Sequence, residues 1–179
     1  MWSLQERESV SSVDVGLNKI QGSLSCGYGI VFDVKACSGV SGDDVAGGDG
    51  CDSGDDVANG VSTADSMLVL MIRVSGEYLV GKVSDGIFTS ICPWTKDENL
   101  KTGSGNENKI KLYKSEGEYF VSFNGDEVST SFFDPRQIDN ASQEDSENAI
   151  ENFGYVVVIA PNENFPKSNV KVIFSREGE

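Results

Sequence analysis

Histidine is missing from this sequence altogether. Its absence removes Ser-His-Asp and Cys-His catalysis, His-ligated zinc and any histidine pH switch. Cations are scarce: 14 Lys+Arg stand against 29 Asp+Glu, a formal net charge of −15 over 179 residues. That balance argues against nucleic acid and anionic membrane surfaces as partners, because each phosphate contact needs a cation. Long hydrophobic runs are lacking as well. The longest, Met67–Ile72, suits one buried strand and falls far short of the ~20 residues with which a helix spans a bilayer. Met1-Trp2-Ser3 has neither the basic start nor the apolar middle of a signal peptide. The chain therefore reads as either cytoplasmic or trimmed of an export signal.

Cysteine is present but sparse, at Cys26, Cys37, Cys51 and Cys92. No two form a CxxC pair, which argues against a thioredoxin motif or a zinc ribbon. Three disulfide pairings are open. The favoured one is Cys37–Cys51, since both fall in one Gly/Asp-rich segment, and closing that short loop would contribute about 3 kcal/mol. Cys26 and Cys92 are either buried free thiols or a second bridge.

What the chain does have is period-two alternation. Val13, Val15 and Leu17 face one way, as do Tyr28, Ile30, Phe32 and Val34. Further strands are expected at 67–74, 78–83, 87–91, 109–114, 119–123, 128–133, 155–159 and 170–174. Ser75-Gly76 and Asp85-Gly86 are turn pairs, and Asn124-Gly125 is the favoured type I′ hairpin dipeptide, so 119–123 should pair antiparallel with 128–133. Only 95–100 and 142–152 could be helical. Many strands, almost no helix and regular turns predict an all-β antiparallel sandwich or barrel in one domain spanning 1–179.

One segment breaks the pattern. Ser41-Gly42-Asp43-Asp44-Val45-Ala46-Gly47-Gly48 recurs as Ser53-Gly54-Asp55-Asp56-Val57-Ala58-Asn59-Gly60, changed only at Gly47/Asn59. The stretch 38–65 has no hydrophobic periodicity and reads as an exposed loop insertion, because loop closure cost grows slowly with length. Asp43, Asp44, Asp49, Asp52, Asp55 and Asp56 supply carboxylates for a calcium site, which wants six to eight oxygens on a flexible loop. No EF-hand frame is present, and a merely hydrated acidic loop is the competing reading.

The order of motifs carries a resemblance. Gly27-Tyr28-Gly29-Ile30-Val31-Phe32 precedes Gly76-Glu77-Tyr78-Leu79-Val80-Gly81-Lys82. Then come Ile91-Cys92-Pro93-Trp94, Asn108-Lys109-Ile110-Lys111-Leu112, Tyr119-Phe120-Val121-Ser122-Phe123-Asn124-Gly125 and Gly154-Tyr155-Val156-Val157-Val158. This resembles the bacterial laminin-G-like jelly rolls of the concanavalin A-like lectin/glucanase superfamily over residues 10–175. The resemblance implies two antiparallel sheets face to face, export to the cell envelope or beyond, and calcium at the rim in many relatives. It does not fix function, since such domains bind sugars, bind proteins or cleave glycans.

The glucanase motif, Glu-x-Asp-x-(x)-Glu along one strand, is absent. Glu144, Asp145 and Glu147 lie in a polar insertion, and Glu116 and Glu118 flank a turn. A retaining mechanism needs two carboxylates about 5–5.5 Å apart, so no catalytic residue is assigned. For sugar binding, Trp94 is the expected stacking platform, with Tyr78, Asn106 and Asn108 as neighbours. The alternative for Trp94 is a lid on the core, and for Tyr78 inward packing. The leading expectation is thus a carbohydrate-binding, lectin-like module. The runner-up is a protein-interaction or adhesion domain whose acidic loop steers toward a basic partner, and a glycan-cleaving hydrolase is third.

Overall fold

The computed structural model describes residues 2–4, 11–36, 64–125, 127–133, 135, 149–150, 152–158 and 170–176. The six aspartates of the expected calcium site and the Cys37–Cys51 pair lie outside the described residues. So does most of the 142–152 stretch read as a helix candidate.

The strands are β1 (Trp2–Leu4), β2 (Ser12–Gln21), β3 (Gly27–Ala36), β4 (Ala64–Arg73), β5 (Glu77–Ser84) and β6 (Ile87–Lys96). They continue with β7 (Glu107–Ser115), β8 (Glu118–Phe123), β9 (Thr130–Phe133), β10 (Gly154–Val158) and β11 (Lys171–Arg176). A six-stranded sheet runs β1-β10-β3-β4-β5-β6 and a five-stranded sheet runs β11-β2-β7-β8-β9. All the pairings are antiparallel. This is the expected antiparallel β-sandwich of jelly-roll type. Among the described residues no helix forms, so none is long and apolar enough to cross a membrane. The stretch 95–100, read as one helical turn, instead ends β6 at Thr95 and Lys96 and then makes a turn closed by Leu100 N–H on the Asp97 carbonyl at 3.3 Å.

Alternation explains the core. Tyr28, Ile30 and Phe32 of β3, Leu68, Leu70 and Ile72 of β4, and Tyr78 and Val80 of β5 point between the sheets. They meet Val13, Val15 and Leu17 of β2, Ile110 and Leu112 of β7, and Tyr119, Val121 and Phe123 of β8. Each such side chain contributes roughly 1.5–3 kcal/mol on full burial. Aromatic pairs lock the layers: Phe32 meets Tyr119 edge-on at 5.4 Å and Tyr78 meets Phe123 at 5.2 Å.

Two type I′ turns set the register. Asp85 (φ 50) and Gly86 (φ 72) join β5 to β6, and Glu116 (φ 52) and Gly117 (φ 78) join β7 to β8. Both central residues of such a turn need positive φ. The expected hairpin of β8 with β9 forms, with Val121 opposite Thr130, but not through a two-residue turn. Asn124 has φ 55 while Gly125 stays out of the left-handed region, and the chain travels through residues 124–129. The reason is that Asn124 is occupied elsewhere. Its Oδ1 accepts the Lys109 N–H at 2.9 Å, and its Nδ2 donates to the Asn99 carbonyl and to Asn108 Oδ1.

The duplicated acidic segment connects β3 to β4, which are neighbours in one sheet with Ala36 opposite Ala64. β4 begins at Ala64, slightly earlier than the loop boundary read from sequence. β11 is an edge strand with Lys171 exposed on it, whereas β2 lies inside its sheet between β11 and β7.

Candidate functional site

The residues expected to form a sugar site fall in three places. Tyr78 is 6% exposed and faces the core, where burial pushes its hydroxyl above the ordinary tyrosine pKa. Asn108 is 1% exposed and serves as a clamp: its Oδ1 accepts the Lys101 N–H at 2.8 Å and its Nδ2 donates to the Lys101 carbonyl at 3.0 Å. Asn106 is exposed on the same loop and donates to the Thr102 carbonyl at 2.7 Å. Trp94 stands apart, on the outer face of the six-stranded sheet, with the Arg73 guanidinium 3.6 Å over its ring. The cation occupies one face of the ring, so a pyranose could stack only on the other.

Pleating puts a different set together on the outer face of the five-stranded sheet. Because Asn108, Ile110, Leu112 and Lys114 of β7 point inward, Lys109, Lys111 and Tyr113 point out. By the same alternation Phe120 and Ser122 of β8 and Asp14 of β2 share that face. Register aligns them in rows: Asp14 lies opposite Lys111, and Lys111 opposite Ser122. One row along, Tyr113 lies opposite Phe120, and their rings stack at 5.1 Å and 13°. Such cross-strand aromatic pairs contribute roughly 0.2–1 kcal/mol, so this pair holds itself without help from the core.

A depression of about 350 Å³ opens on the side of the Lys111–Ser122 row away from this pair, lined by Asp14, Val15, Lys109, Ile110, Lys111, Ser122, Asn124 and Gly125. Ser122 is 1% exposed, yet its Oγ has no hydrogen-bond partner. Leaving a buried hydroxyl unpaired costs about 1–3 kcal/mol, which is why such atoms are rare. Among the lining residues Asp14 is the one carboxylate. The chemistry on offer is therefore the ammonium donors of Lys109 and Lys111 and the carboxylate acceptor of Asp14, with the aromatic pair one register row away. Among the described residues no group of three His, Cys, Asp or Glu side chains is placed to hold a metal ion.

Sequence reading passed over this set, although a signal was present. Counting back from a two-residue turn at Glu116-Gly117 pairs Tyr113 with Phe120 and Lys111 with Ser122.

No protein-family model matches the sequence, and no curated protein is similar to it. Among solved structures, the chain is similar to the carbohydrate-binding module CBM66 from Bacillus subtilis. The two align over 94% of this chain and 73% of that one, at 9% identity and a TM-score of 0.53. Sheep galectin-11 in complex with glycerol aligns over 94% and 96% of the two chains, at 13% identity and a TM-score of 0.43. The first likeness confirms the two-sheet β-sandwich; the second is too loose to add to it.

Proposed function

We propose that this domain is a non-catalytic carbohydrate-binding module of the concanavalin A-like type, acting at the cell envelope or outside the cell. Its glycan lies across the outer face of the five-stranded sheet. The observation that carries the reading is the row of Asp14, Lys111 and Ser122 beside the stacked Tyr113–Phe120 pair, with the Ser122 hydroxyl lacking a partner. Sugars present alternating hydroxyls and apolar C–H faces, and sites that hold them combine a few fixed polar groups with aromatic surface. Ser122 Oγ is sealed from solvent, so a sugar hydroxyl satisfies it once the side chains over it move aside. The fold shared with a protein described as a carbohydrate-binding module supports the same class. A lone carboxylate in the depression favours holding a glycan over cleaving one, since hydrolysis uses two.

The test is retention on a glycan panel. Ser122→Ala removes an unpaired buried hydroxyl and its desolvation cost, so the melting temperature should hold or rise by a few degrees and not fall. Affinity should fall about five- to tenfold, the worth of one hydrogen bond. Lys111→Ala should fall in parallel, and Trp94→Ala should leave retention unchanged. Unchanged binding in Ser122→Ala and Lys111→Ala, or loss in Trp94→Ala alone, would move the site to the other sheet.

A further inference from the structure

The outer face of the six-stranded sheet is built unlike an ordinary solvent face. Antiparallel sheets usually alternate apolar-in with polar-out, but here the outward residues of β3, β4 and β5 are apolar too. Val31, Val69, Met71 and Leu79 are each 5% exposed or less, packed with half-buried Met67 and Val83. Glycines deepen the surface. A Cβ at Gly27 would stand 3.2 Å from the Trp94 ring and 3.3 Å from Met71 Sδ, and one at Gly81 would run into the Phe88 ring at 2.4 Å. The result is a groove of about 440 Å³ between Trp94 and Phe88, within the range of small-ligand sites.

One cation enters it. Arg73, at the end of β4, lays its guanidinium on Trp94, and its buried Nε has no acceptor. Among the described residues no carboxylate lies within ion-pair distance of it, in a chain of net charge −15. No acidic side chain lines the groove. The nearby Cys26 thiol, pushed up by burial, stays neutral and supplies no anion. A guanidinium held flat by cation–π stacking still presents its edge, and that edge matches a carboxylate through two parallel N–H···O bonds.

We propose that this groove binds an aliphatic carboxylate, with the acid group on the edge of Arg73 and the chain laid along Met71, Val69, Val31 and Leu79. The body is aliphatic because both aromatic rings already have an occupied face, Trp94 under Arg73 and Phe88 over Gly81. This site is on the opposite sheet from the glycan face and needs no glycan to operate.

The test uses the full chain carrying Trp2→Phe, which leaves Trp94 as the sole tryptophan reporter. Dodecanoate, below its micelle concentration, should give a saturable change in Trp94 fluorescence and bind at least ~tenfold tighter than dodecan-1-ol, the ratio expected of one charge-assisted contact. Arg73→Gln should cut that ratio to within threefold. The acid-to-alcohol comparison stands on the unsubstituted groove, should Arg73→Gln fail to fold. Equal binding of acid and alcohol, or an unchanged ratio in Arg73→Gln, would overturn the proposal. So would a concentration-dependent dimer, seen by sedimentation, that Leu79→Glu breaks while dodecanoate has no effect: the face would then belong to a second copy. Glycan retention unaffected by dodecanoate keeps this outcome separate from that of the carbohydrate reading.

Discussion

Asp33→Asn probes the most unusual polar feature of the core. Asp33 sits in β3 at φ 47, where the register with β4 shifts, and its carboxylate turns in between the sheets. It accepts the Tyr119 hydroxyl and lies 3.9 Å from Lys114 Nζ. The two charged side chains are 8% and 5% exposed, and the ammonium also sits 5.2 Å over the Tyr119 ring. Removing one member of a buried pair leaves the other charge stranded, a loss of about 3–5 kcal/mol. Asparagine tolerates positive φ and keeps an oxygen for Tyr119, so the loss should fall at the lower end, about 3 kcal/mol. For a chain of this size that is a drop of ~6–12 °C in melting temperature. Lys114→Met removes the stranded cation. Urea denaturation of Asp33→Asn, Lys114→Met and the double variant should therefore show coupling: the double variant loses at least ~1 kcal/mol less than the two singles added together. A cost below ~1 kcal/mol for Asp33→Asn, or strict additivity, would refute the reasoning, because a pair that is solvent-screened would behave in that way.

Two further outcomes test the packing. Gly29→Ala places a Cβ 1.9 Å from the Leu70 carbonyl oxygen and 2.8 Å from Met71 Cα, both backbone atoms of the adjacent strand, and should cost 3 kcal/mol or more, at the severe end of overpacking. Gly81→Ala meets the ring of half-exposed Phe88, which can swing away, and touches the Thr89 carbonyl oxygen at 3.0 Å, so it should cost less, about 1–2 kcal/mol; urea midpoints in the reverse order would contradict the strand packing. At alkaline pH, burial raises the hydroxyls of Tyr28 and Tyr78 above the ordinary value near 10. Groups so raised contribute stability that is intact below pH ~10 and lost as pH climbs through their folded values. Part of the phenolate absorbance at 295 nm should thus arrive late, together with cooperative loss of near-UV circular dichroism. Titration of every tyrosine near pH 10 with the near-UV signal intact would refute this.

Period-two alternation made the strands legible because one face of each must leave water, and the Asp85-Gly86 pair made the β5–β6 turn legible because few dipeptides accept two positive φ values. Short β1 was not legible: Trp2-Ser3-Leu4 is too brief to show a period, and it exists only by pairing with β10. Polar side chains misled in the site for a related reason. An asparagine in sequence looks the same whether it meets a ligand or holds a loop, and Asn108 and Asn124 do the second through each other. Nor does the sequence reveal which face of a tryptophan is free, and Arg73 takes one face of Trp94.

The larger omission concerns what a continuous apolar run requires. Met67–Ile72 was read as a buried strand, and its even members do fill the core. A strand apolar at every position, however, must shed water from both faces, and a sandwich covers only one. The odd members, Met67, Val69 and Met71, therefore pack into a second apolar cluster on the outer face, where Val69 and Met71 are 5% exposed or less. Lys109 and Lys111, in contrast, alternate with Ile110 and Leu112, so β7 asks for cover on one face and leaves the other to polar recognition. The two sheets thus differ in pattern: β7 alternates polar with apolar side chains, whereas β4 is apolar on both faces from Met67 to Ile72.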